Sequence, residues 1–85
     1  MKIKINDLTD YIFQAGKMIE LFEDINLKLS NVKTEVSMQN SGEAIEALIF
    51  NVETEILSND DNIDMLTSHR DFYGNYIFDL ELSQY

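Results

Sequence analysis

The sequence contains no cysteine and no proline, and it has only three glycines. Without cysteine there is no disulfide framework and no thiolate metal site. Without proline, no residue forces a helix to stop. No run of about 18 apolar residues is present, so no membrane-spanning helix is expected. The first ten residues, MKIKINDLTD, lack the apolar core of a secretory leader, so no Sec signal peptide is expected. Basic residues are scarce as well. Six lysines and arginines stand against 16 acids, a net charge of −10. The imbalance lies in the second half, where residues 41–85 carry one arginine against ten acids. Such a surface repels phosphate backbones, so no nucleic-acid partner is expected.

Apolar residues are plentiful. They make up 45% of the chain, too many for a disordered segment. Eighty-five residues form one small domain with a modest core. Chains of this size often gain stability from a partner.

The apolar residues are regularly spaced. Leu8, Tyr11, Ala15, Met18, Phe22, Ile25, Leu29, Val32 and Val36 step alternately by three and four. That spacing predicts an amphipathic helix over about 7–38 with a heptad seam. Asp7 or Thr9 is a candidate cap at its start. A second run holds Ile45, Ile49, Val52, Ile56, Ile63, Leu66, Tyr73, Ile77 and Leu80. It predicts a helix over about 43–82. The stretch Ser58-Asn59-Asp60-Asp61-Asn62 interrupts the apolar pattern, and Ser58 with Asp61 has capping-box spacing. This second half therefore reads as one long helix or as two, broken near 58–62. Between the two runs, Asn40, Ser41 and Gly42 are turn formers, placing a turn at about 39–42 with Ser41 as a natural cap. The fold expected is an all-α antiparallel helical hairpin. The alternative is α+β, with a strand from Lys2 to Ile5 and a hairpin turn at Tyr73-Gly74-Asn75-Tyr76.

Around the turn the chain reads Asn40-Ser41-Gly42-Glu43-Ala44-Ile45-Glu46-Ala47-Leu48. This resembles the W-x-G-x-A-x-x-x-F turn of the small helical-hairpin proteins of type VII secretion systems. Gly42, Ala44 and Leu48 match the glycine, alanine and final apolar position. Asn40 stands where that family has tryptophan. The opening Ile3 to Asn6 and the tyrosines Tyr73, Tyr76 and Tyr85 also look like that family. Its Y-x-x-x-D/E export signal is not matched, because Ile77 follows Tyr73 at four residues and Leu80 follows Tyr76. The resemblance is therefore to the divergent branch that pairs with LXG-type toxins. It implies a targeting partner that binds the toxin's helical N-terminal domain, in some complexes beside a second small hairpin protein. It also implies a bacterial cytoplasmic location with export, if any, alongside the toxin. A second reading, from the acidic composition, is a phage-encoded inhibitor that mimics nucleic acid, such as an anti-CRISPR protein, folded as α+β.

Few residues point to chemistry, so neither an enzyme nor a cofactor is expected. His69 is the sole histidine and cannot hold zinc by itself. Asp60, Asn62, Asp64 and Asp71 match parts of a calcium-loop template, but Met65 replaces its glycine and Asp71 its glutamate. Glu53 and Glu55 are ordinary surface carboxylates unless a pocket buries them. More informative are the apolar residues outside the seams. Phe13, Leu21, Phe50 and Phe72, together with Tyr73 and Tyr76 of the last segment, are the expected partner-binding residues.

Overall fold

A computed structural model describes residues 5–39 and 42–83, and these form two helices. α1 spans Ile5–Gln39 and α2 spans Glu43–Ser83. They lie side by side in a rod of 64 × 19 × 15 Å. Cross-helix hydrogen bonds from Tyr11 to His69 and from Lys33 to Glu53 fix the pair as antiparallel. The expected helical hairpin is therefore the fold. The described residues contain no strand, which removes the α+β alternative. Ile5 begins a helix, and Tyr73 to Tyr76 lie inside one. Lys2 to Lys4 fall outside the described residues.

α2 runs unbroken through residues 58–62. The capping-box spacing of Ser58 and Asp61 does not stop it. The heptad seam continues in phase on both sides, and breaking the helix would sacrifice that packing. The start of α1 also differs from expectation. Among the described residues α1 is already helical at Ile5, so Asp7 sits in the first turn and Thr9 just beyond it, rather than at a cap. Asp7 complements the helix dipole there, and Thr9 Oγ1 donates back to the Ile5 carbonyl at 3.0 Å.

The seam of α2 is as expected, with Asn59 and Arg70 filling its two polar positions. The seam of α1 is rotated. Leu8, Ala15, Phe22, Leu29 and Val36 face α2 as expected. The second line is Ile5, Ile12, Ile19, Asn26 and Lys33, not Tyr11, Met18, Ile25 and Val32. Both lines flank the same spine, so α1 alone does not choose between them. α2 decides. Its Asn59 is buried at 4% exposure and needs a polar partner. Asn26 supplies it: Asn59 Nδ2 donates to Asn26 Oδ1 at 2.8 Å. Asn26 Nδ2 in turn donates to Asp60 Oδ1 at 2.9 Å. A buried amide left unpaired would cost about 1–3 kcal/mol. Lys33 Nζ pairs with Glu53 Oε1 at 3.3 Å on the same rotated line.

Gly42 marks the start of α2. Its carbonyl accepts from the Glu46 amide at 3.0 Å, so Gly42 is the cap residue. Asn40 and Ser41, expected in the turn, lie outside the described residues. Gly42 has φ of 121°, a conformation open to glycine and strained for other residues. A Cβ at this position meets nothing within 4 Å, so crowding does not impose the glycine. The requirement comes from the backbone. Gly42→Ala and Gly42→Leu are therefore expected to destabilise by similar amounts, about 1–3 kcal/mol each. Chemical denaturation of both variants checks this. A much larger loss for leucine would return the explanation to crowding.

Candidate functional site: the apolar flanks of the hairpin

The helices bury little. Among the described residues, the buried apolar side chains are Leu8, Ala15, Ile19, Val52 and Leu66. Ala15, Ile19 and Leu66 form one cluster, with Phe22 and Ile63 packed against it. Sixteen large apolar side chains remain exposed, more than three for each buried one. The accessible surface is 6750 Å². A compact monomer of 9.9 kDa would expose roughly 5,200 Å². The excess, about 1,500 Å², is roughly twice the 800 Å² or so that one partner buries in a standard interface.

The exposed residues are not scattered evenly. Tyr11, Met18, Ile25 and Val32 form a line at seven-residue spacing beside the α1 seam. This is the line displaced from the seam by Asn26 and Lys33. On the same side of the rod α2 presents Leu48, Met65, Phe72 and Tyr76. Together these make one apolar flank. The opposite flank is acidic: it carries Glu23 from α1 and Glu46, Glu53, Asp60 and Glu81 from α2. Phe13, Leu27, Phe50 and Leu57 lie on the outer edge of that acidic side.

The expected partner-binding residues divide between these surfaces. Leu21, Phe72 and Tyr76 belong to the apolar flank, all exposed. Phe13 and Phe50 are exposed as well, but on the far side and near opposite ends of the rod. The Lys17 ammonium already covers the Phe13 ring at 4.5 Å. Tyr73 is half-buried and packs within the hairpin. Its ring meets Tyr11 edge-on at 5.8 Å and Phe72 at 5.3 Å. His69 joins this cluster, with Tyr11 Oη and His69 Nδ1 at 2.9 Å. Edge-on aromatic pairs contribute about 0.5–1.5 kcal/mol each, so the cluster ties the open end of the hairpin together. At the turn end, Ala44 and Leu48 are exposed.

The sequence pattern missed one element of this arrangement. Asn26 and Lys33 looked like surface residues because they break the apolar run. The readable signal was Asn59, a polar residue at a seam position of α2 that required a counterpart.

No pocket and no metal-holding group of side chains is present among the described residues. The calcium-template residues lie on a continuous helix, where Asp60, Asp64 and Asp71 are strung along one face rather than gathered by a loop and Asn62 points away from them. Asp60 is engaged with Asn26. What this surface offers chemically is a long apolar strip with few charges, suited to another helix. Compared with known proteins, the chain matches no family model, no curated protein and no solved structure.

Proposed function

We propose that this chain is a small helical partner protein rather than an enzyme. It binds the helical N-terminal domain of an LXG-type toxin and promotes that toxin's export through a type VII pathway. One observation carries the reading: the hairpin leaves sixteen large apolar side chains exposed against five buried among the described residues. A single hairpin gains little from such a sequence, whereas a bundle with further helices buries it. The helical-hairpin architecture and the Gly42-x-Ala44 turn support the type VII assignment. The toxin is the main partner, and a second small hairpin protein fits the same bundle.

Co-expression with the toxin's helical domain tests this reading. The two chains are expected to co-purify. Deleting the gene for this chain is expected to remove the toxin from the culture supernatant while leaving it in the cells. Unchanged toxin export by the deletion strain, with no complex on co-expression, overturns the proposal.

A further inference from the structure

We infer that the apolar flank is the docking face, and that its occupant is one cationic amphipathic helix of a different chain. This inference rests on the partner-protein reading above and specifies the surface and charge of the contact. The first ground is geometry. Tyr11 to Val32 extends over about 32 Å of helix at 1.5 Å per residue. The groove beside this line is bordered on α2 by Met65 and Phe72, each at least half exposed. A third helix laid there converts the pair into a three-helix bundle with Met18 and Ile25 at its centre.

The second ground is charge. The middle of the flank has one acid, Glu55, while acids bracket its ends. Asp7 and Asp79 lie at the open end, and Glu35 lies toward the turn. None of the four has an ion pair among the described residues. The one lysine along this rim, Lys28, is already paired with Asp24 at 3.0 Å. A second copy of this chain fits poorly. Docked antiparallel, it sets Asp7 and Asp79 against Glu35. Docked parallel, it sets them against their own counterparts. Either way carboxylates meet carboxylates, and two chains of charge −10 are brought together. A helix with lysine or arginine beside its apolar seam pairs with these same acids.

The test uses the full chain and two synthetic helices of about 28 residues, long enough to span the flank. Both carry the same leucine and isoleucine seam. One has lysine at the flanking positions and the other has glutamate. Binding is read by fluorescence anisotropy. The lysine helix is expected to bind at least roughly tenfold more tightly, with the difference shrinking in high salt. The double variant Met18→Asp/Ile25→Asp should lose the lysine helix. Both side chains are exposed, at 45% and 43%, so circular dichroism should stay unchanged. The variant Phe13→Asp/Phe50→Asp should bind as the native chain does. Equal binding of the two helices removes the charge argument. Loss with Phe13→Asp/Phe50→Asp, or persistence in Met18→Asp/Ile25→Asp, removes the assigned face. A stable dimer of the chain that Ile25→Asp dissociates identifies a second copy as the occupant and overturns the inference. These outcomes do not depend on the toxin. Failure to bind the toxin domain while the lysine helix still binds counts against the proposed function alone.

Discussion

Replacing Leu66 with alanine is expected to lower the melting temperature by roughly 10–25 °C. Leu66 is 5% exposed and sits in the cluster with Ala15 and Ile19. Truncating a buried leucine removes transfer free energy and leaves a cavity, together about 2–4 kcal/mol. In a large domain the loss would be diluted. Here few side chains share the load, and an 85-residue chain holds only about 4–13 kcal/mol in all. Leu57→Ala is the matched control. Leu57 is 65% exposed on the same helix, so its loss should stay within about 0.5 kcal/mol. Thermal circular dichroism of the two variants makes the comparison. Equal shifts for both would mean that Leu57 is covered in the free chain.

The second large effect concerns the asparagine pair and has two signs. Asn26→Ala is expected to destabilise by about 1–3 kcal/mol, because Asn59 stays buried without its acceptor. Asn26→Leu with Asn59→Leu is expected to recover that loss and to raise the melting point above the native value. Apolar replacement of a satisfied buried polar pair is often stabilising. The same change should blur the alignment of the helices. With Asn26 apolar, the line Tyr11, Met18, Ile25 and Val32 competes on more equal terms for the seam. Buried asparagines fix register and association state in coiled coils in this way. The double variant should therefore show broadened amide resonances and mixed association states in sedimentation. A double variant that is both less stable and uniquely folded would contradict this assignment.

Much of the hairpin was legible from spacing. The α2 seam stood out because nine of its eleven positions are apolar. The absence of proline and the placement of Gly42 marked where one helix ends and the next begins. The rotation of α1 was hidden for a physical reason. Periodicity reports every apolar line on a helix, including those that do not face the other helix of the hairpin. The line with the most apolar residues was the flank, and the true seam carried Asn26 and Lys33. A helix with two apolar stripes is placed only by the polar positions of the helix it packs against, here Asn59. Likewise, Tyr73 read both as a seam residue and as a partner-binding aromatic, because its contact Tyr11 lies on the other helix, far away in sequence. The segment 58–62 left one helix or two open, because polar residues interrupt the apolar pattern there and the mate of its seam asparagine, Asn26, lies on the other helix.

Methionine oxidation tests the central claim most directly. Met18 and Met65 lie on the apolar flank at 45% and 50% exposure, and Met38 lies off it at 81%. Thioether oxidation by dilute peroxide follows solvent access. All three should oxidise in the free chain. In the proposed complex with a toxin's helical domain, Met18 and Met65 are expected to be protected at least roughly fivefold while Met38 reacts as before. Oxidation of Met18 and Met65 at the free-chain rate within an intact complex would place the partner elsewhere and contradict the account.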